Sequence, residues 1–377
     1  MFLIDRGKYY QDEEIIYSAV YGRGFYQWNG RMVQDPLGGD DGRGNVSPLL
    51  ENIETGELFF MKWLNETSDV LPEYIKRIKN PPNRDDILWP CDLVRFYNEI
   101  PAECSLAVDQ VYNYSHERQA ESHKLAVLFP YGGYPVCEDG YRYLSHIGVQ
   151  SWKNEKIRDM AVQIAKHIKN VNDKDYLYLD FHLSRMFFQE DGELFLNFSN
   201  LALPFSQMGR FRGKETREVS YSYHPEMYTY PVEFAEPAII QGIQNTFDYR
   251  SQNYSLAAML FFLFFGRYAY DGRLMDGYMD DTEREHYEKF RDYHKMPVFI
   301  FDRQDTSNAL GTFADEQQIL DIWNEAPAQL RDMFSASLCQ KNAQREVKED
   351  MNFTPSQWLE CFTHLGWYQE EKLEKGI

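Results

Sequence analysis

Three stretches carry residues whose types and spacing could do chemistry. Around position 180 the chain reads Leu179-Asp180-Phe181-His182, a carboxylate in a loop, and an apolar run follows that ends at Phe188. A second apolar run covers residues 194–198, with Gln189-Glu190-Asp191-Gly192 between the two. Asp-Gly joining two such runs is a strong hairpin signal. Asn197-Phe198-Ser199 then sets a polar, an aromatic and a small residue at its end. Upstream, residues 36–46 contain Gly38, Gly39, Gly42 and Gly44. Glycines let a backbone fold tightly and turn its N–H groups toward a phosphate. Asp40 and Asp41 would repel that anion, and Asp-Asp-Gly also fits a plain turn. The third feature is Lys62, inside the apolar run Leu58-Phe59-Phe60-Met61-Lys62-Trp63-Leu64. An ammonium there costs free energy unless it is paired or its stem lets the head reach water.

These residues need elements to hold them. Residues 1–37 read as short strands broken by Gly22, Gly24 and Gly30. Residues 49–64 read as a hairpin about the turn Glu54-Thr55-Gly56-Glu57, which puts Lys62 on its second strand. Val70, Leu71, Tyr74, Ile75 and Ile78 have helical spacing over 65–80, and Pro81-Pro82 ends that helix. Glu73 is the best-placed carboxylate on it to pair with Lys62, and Glu66 is the alternative. Strands follow at 88–94 and 125–129, the second ending at Phe129. Pro130-Tyr131-Gly132-Gly133-Tyr134 breaks it and marks a hinge. An amphipathic helix is predicted over 154–170, and residues 203–230 have the composition of a long loop. The run 255–267 is apolar on all sides, so it must be a helix buried on all sides. Helices at 315–324, 327–339 and 354–364 complete the chain.

Composition narrows the function classes. With 377 residues, 43% of them apolar, the chain can bury a large core. Lys+Arg 39 against Asp+Glu 59 gives a formal charge of −20. That disfavours nucleic acid or an anionic membrane as partner and favours partners with basic surfaces. The five cysteines are odd in number, widely spaced and without a Cys-x-x-Cys pair, which points to a reducing compartment rather than a disulfide or zinc framework. The first residues lack the basic-then-apolar order of a signal peptide. The longest apolar run, 256–265, is too short to span a bilayer. A cytoplasmic location is expected.

In their order, these elements resemble the eukaryotic-like protein kinase superfamily, over roughly residues 36–364. The phrases Leu88-Trp89-Pro90, Pro297-Val298-Phe299-Ile300-Phe301-Asp302 and Thr354-Pro355-Ser356-Gln357-Trp358-Leu359 are similar to ones in a divergent bacterial branch. The resemblance implies a single α+β domain of two lobes. Residues 1–35 would be an N-terminal strand extension, 36–133 a small, mainly antiparallel-β lobe, and 134–377 a larger, mainly helical lobe. Lys62, paired with Glu73, would hold the phosphates of ATP, with Gly39, Gly42, Gly44 and Phe129 around the nucleotide. Asp180 would accept the proton of a substrate hydroxyl. Residues 203–230 would be the activation segment, closed by Phe234-Ala235-Glu236-Pro237.

The family pattern is broken at several positions. Arg185 falls where a metal-binding Asn is expected, and a donor-only guanidinium cannot ligate Mg²⁺. Arg185 could instead sit on a phosphate. Asn197 stands for the metal-binding Asp, Ser199 for the following Gly, Tyr178 for the His before Asp180, and Gln252 for an Asp that braces the catalytic loop. Metal stabilisation of a transferring phosphoryl is worth several kcal/mol, so losing much of it would slow transfer on the order of hundreds-fold. The expectation is a pseudokinase that binds a protein partner and ATP, with Mg²⁺ weak or absent. The alternative is an active Ser/Thr kinase with one metal, completed by Asn197, Asp40 or Asp41. A small-molecule kinase of the aminoglycoside-phosphotransferase kind fits the 203–230 segment less well.

Overall fold

A computed structural model of the chain describes residues 16–18, 24–34, 46–63, 75, 78–79, 81, 87–95, 125–131, 137–174, 176–178, 181–183, 186–189, 192–197, 201–202, 232–241, 249–275, 292–311, 314–339 and 352–369. The fold is mixed α+β, with a curled antiparallel sheet and several helices. The chain forms two compact units, Met1–Cys137 with Phe195–Ser199, and Glu138–Leu194 with Asn200–Ile377.

In the first unit, strands β1 (Ile16–Ser18), β2 (Gly24–Gln34), β3 (Val46–Asn52), β4 (Leu58–Trp63), β6 (Asp92–Arg95) and β7 (Leu125–Tyr131) close into a barrel in the order β1-β2-β3-β4-β7-β6. Closure satisfies every stave on both sides and leaves no edge strand. Tyr26, Leu50, Phe59, Met61, Val94, Ala126 and Leu128 form one buried cluster. Strand alternation turns Phe60, between Phe59 and Met61, to the opposite face. There it stacks on Phe129 at 5.1 Å, and Leu49, Leu93 and Val127 are buried too. Both faces of β4 and β7 are therefore apolar, which is why these strands read as continuous apolar runs rather than alternating ones. The β3–β4 turn matches its sequence signal. Asn52 Oδ1 accepts from the N–H of Glu54 and of Thr55, at 2.9 and 3.1 Å, and Gly56 takes the positive φ of 71° that the turn requires.

The same unit contains β5 (Ile87–Leu88), which pairs in parallel with residues 196 and 197 of β11 (Leu194–Asn197). The register sets Leu196 against Ile87 and Asn197 against Leu88.

The second unit contains β8 (Cys137–Asp139) and helices α1 (Gly140–Ile147) and α2 (Glu155–Asn172), then β9 (Leu177–Tyr178), β10 (Met186–Gln189) and β12 (Leu201–Ala202). A 3₁₀ turn at Val232–Phe234 precedes α3 (Pro237–Ile240) and α4 (Tyr249–Phe265), with α5 (Ala314–Glu325), α6 (Ala328–Leu338) and α7 (Pro355–His364) beyond. The stripe predicted on α2 is present, since Ile157, Met160, Ala161, Ile164, Ala165 and Ile168 are all buried. The apolar run 256–265 forms the second half of α4, and only Phe262 of that run is not fully buried. Phe261 packs edge-on against Phe299 and Phe334 at 5.3 and 5.4 Å, and Phe264 against Phe362 at 6.0 Å. Thr354 and Gln357 form a reciprocal capping box that starts α7. Helices α5, α6 and α7 agree with the segments read from the sequence to within a residue at each end.

Candidate functional site

Residue 62 lies on β4 directly opposite Val127, one pair along from the Met61–Leu128 pair and two from Phe60–Phe129. Its place is set by the backbone ladder between β4 and β7, which runs unbroken over six pairs. Phe129 is fully buried against Phe60, so this ring lines the apolar layer of the sheet. Asn197 is the last residue of β11, held by its parallel pairing to Leu88. Gly39, Gly42, Gly44, Glu73, Asp180 and Arg185 fall outside the described residues, as do Asp40, Asp41, Glu66 and Ser199.

The approach to position 180 is well defined in the second unit. Leu177 and Tyr178 pair antiparallel with Ala202 and Leu201. The N–H of Tyr178 donates to Oε1 of Gln252 at 2.9 Å, a fully buried bond reaching from the polar head of α4. Gln252 is completely buried, and its Nε2 meets no acceptor among the described residues. A buried amide is retained there because its oxygen fills a donor that would otherwise be orphaned. Tyr178 also turns its ring edge to Phe181 at 5.2 Å. Tyr178 and Phe181 are thus fixed points on either side of position 180 in the sequence.

The far point is just as tightly held. Gly140, the first residue of α1, lies so near Leu183 that an added Cβ would meet the Leu183 carbonyl oxygen at 2.9 Å. Only glycine allows that approach. Asp139 caps α1 by accepting from the N–H of Tyr141 and of Arg142 at 3.0 and 3.2 Å, and the Tyr141 ring stands edge-on to His182 at 5.4 Å. Downstream, the hairpin turn closes as predicted. The Gln189 N–H donates to the Glu193 carbonyl at 2.9 Å, and Gly192 takes a φ of 91°.

The Glu236 of Phe234-Ala235-Glu236-Pro237 is buried, at 2% exposure. Arg250 reaches its Oε1 through Nη2 at 2.6 Å and Nε at 2.8 Å. The Ser251 hydroxyl donates to its Oε2 at 2.8 Å. Both carboxylate oxygens are therefore satisfied, as a buried charge requires. Three consecutive residues at the head of α4 do the bracing: Arg250 and Ser251 hold the turn before α3, and Gln252 holds β9.

A second cluster surrounds Glu233 on the 3₁₀ turn. Burial raises its carboxyl above the ordinary range, and the nearby Asp271 raises it further. Asp271 is itself held by Arg267 at 3.3 Å. Burial pushes the phenols of Tyr141 and Tyr268 up, and the Glu233 carboxylate adds to the rise.

Sequence reasoning singled out Gln252 and Glu236 by position but missed Arg250, Ser251, Tyr141, Tyr268 and Glu233. One available signal was Arg250-Ser251-Gln252-Asn253 heading a helix buried all round, since polar groups there need partners. Nothing in the spacing linked Tyr141 or Tyr268 to Glu233. Among the described residues, no group of three or more His, Cys, Asp or Glu could hold a metal ion, and no helix is long and apolar enough to cross a membrane. No protein-family model matches the chain, and no curated protein matches it in sequence.

Proposed function

We propose that the chain is a two-lobed, protein-kinase-like protein that acts as a pseudokinase: it binds a protein partner and ATP, and transfers phosphate weakly or not at all. The observation that carries this is the buried bond from the Tyr178 N–H to Gln252 Oε1. It ties the strand leading to Asp180 to the central buried helix, at the position where the resemblance places a bracing acid. The buried Glu236–Arg250 pair supports the same assignment, because it anchors the turn that would close the activation segment. Lys62 on a paired central strand, opposite Val127, fits a lysine that holds nucleotide phosphates. Arg185, Asn197 and Ser199 argue against efficient transfer: a guanidinium cannot ligate Mg²⁺, an amide lacks the negative charge of the Asp it stands for, and Ser199 departs from the triplet's Gly.

Two assays test this. ATP should raise the melting temperature of the purified protein, and Lys62→Ala should abolish the shift; no shift in either protein rejects the nucleotide site. Incubation with labelled ATP and Mg²⁺ or Mn²⁺ should leave the protein and a generic basic substrate unlabelled. Strong transfer that disappears in Asp180→Asn would instead establish an active Ser/Thr kinase with an atypical metal site.

A further inference from the structure

The connection between α1 and α2 caps the ends of two other helices. The last carbonyls of a helix have no partner within it. At the end of α4, the Trp152 N–H donates to the Phe264 carbonyl at 3.2 Å, and Gln150 Nε2 reaches the Phe262 carbonyl at 3.4 Å. At the end of α5, the Trp152 indole N–H donates to the Ile322 carbonyl at 2.9 Å. Lys153, the next residue, pairs with Glu325 in that same last turn. Trp152, itself only half-buried, thus serves both helices, and both depend on where it sits.

The segment after α7 lays a ring over that residue. The helix ends in a Schellman turn, in which Gly366 takes a φ of 73°. The Gly366 N–H donates to the Thr363 carbonyl at 3.0 Å and the Trp367 N–H to the Phe362 carbonyl at 2.8 Å. The apolar contact that accompanies such a turn is Trp367 on Phe362, ring centroids 5.7 Å apart. Trp367 also meets Phe264 at 5.6 Å and stacks on Trp152 at 6.4 Å. The Arg158 guanidinium of α2 lies over its ring at 5.6 Å.

We infer that the turn at 363–367 is a strap. Seated, Trp367 holds Trp152 in its double cap; unseated, it frees the 149–153 connection while α7 stays folded. The strap can part from its helix because the two are held differently. Trp367 is half-buried and gripped by rings and a guanidinium. α7 is anchored by Trp358 and Phe362, both fully buried, and starts from its own capping box. Leaving the seat breaks the two bonds of the turn and the ring contacts, but none of the bonds inside α7. The strap lies wholly within the second unit, so it does not depend on the kinase-like assignment.

Amide hydrogen exchange on the full-length chain tests it, comparing wild type with Trp367→Ala, Gly366→Ala and Gly366→Asn. Trp367→Ala should speed exchange about tenfold in peptides covering 149–153 and 323–326, and less than about twofold in 356–361. Gly366→Ala touches no ring, since its Cβ would enter open space. It opens the turn only because a left-handed backbone disfavours an L side chain, and it should give the same remote footprint at about fivefold. Asparagine tolerates that conformation, so Gly366→Asn should stay within about twofold of wild type. Acceleration confined to 361–368, or spread evenly over the unit with α4 included, overturns the strap. So does a Gly366→Ala protein without the remote footprint. If Trp367→Ala does not fold, the two Gly366 variants decide alone.

Discussion

In the barrel, positions 62 and 129 take their places from the backbone. Residue 62 faces Val127 and Phe129 faces Phe60 because β4 and β7 are paired along six consecutive positions. In the helical unit the strand before position 180 is only two residues long, and beside its short pairing with β12 a side chain holds it: Gln252 accepts from Tyr178 at 2.9 Å. The 232–236 turn is likewise held by side chains, through Glu236, Arg250 and Ser251. A ladder tolerates changes in any one side chain because its bonds are main-chain bonds. A braced loop depends on particular residues, and losing one leaves a buried group without its partner. Single substitutions should therefore act differently in the two units.

The largest effect is expected at the buried ion pair. Arg250→Leu leaves the Glu236 carboxylate buried with its cation gone, which should cost about 3–5 kcal/mol in denaturant unfolding. Replacing Glu236 and Arg250 together by leucine should recover most of that loss; if the double variant is as unstable as the single one, the pair is not what seats the turn. In the barrel, Leu50→Ala should cost about 2–5 kcal/mol, from lost burial and the cavity left behind. It should do so without raising exchange in the Tyr178 strand. Gln252→Leu should cost less, about 1–3 kcal/mol, by orphaning the Tyr178 N–H. Its exchange footprint should centre on residues 177–183, and a loss spread evenly over the unit would mean that Gln252 is only core packing.

The smallest effect is a matter of pH. The folded-state pKa of Glu233 is raised, with burial the first cause, so its protonated form is the one the fold prefers. Its contribution is fully present below the unfolded carboxyl value of about 4.3 and is lost as pH rises through the folded value. Glu233→Gln should therefore flatten the pH dependence of stability above pH 4 and leave the protein more stable than wild type at neutral pH. Equal pH profiles for the two proteins would show that Glu233 titrates as a solvated surface acid.

Much of the fold was legible because its signals are local. The β3–β4 turn at Glu54–Glu57 has its Asx and glycine chemistry, the 189–192 hairpin turn has its glycine, and α2 has a clear apolar stripe. The helices α5 to α7 could be placed to within a residue because periodicity and caps act over a few positions. The candidate site was legible only in part. Glu236 and Gln252 stood out by their place in the order of elements, but their partners did not, since a side chain's partner depends on packing and not on spacing along the chain.

What the amino-acid sequence determined by itself was the inventory: an apolar helix that had to be buried, strands dense enough in apolar residues to be covered on both faces, and glycines where turns or close approaches demand them. Only the tertiary structure decided that the strands close into a barrel through the three-residue β1, and that Gln252 meets Tyr178, 74 positions away. The physical reason is range. Propensity, capping and turn chemistry are satisfied within a few residues, whereas barrel closure and buried polar pairing are settled only when distant segments compete for the same space.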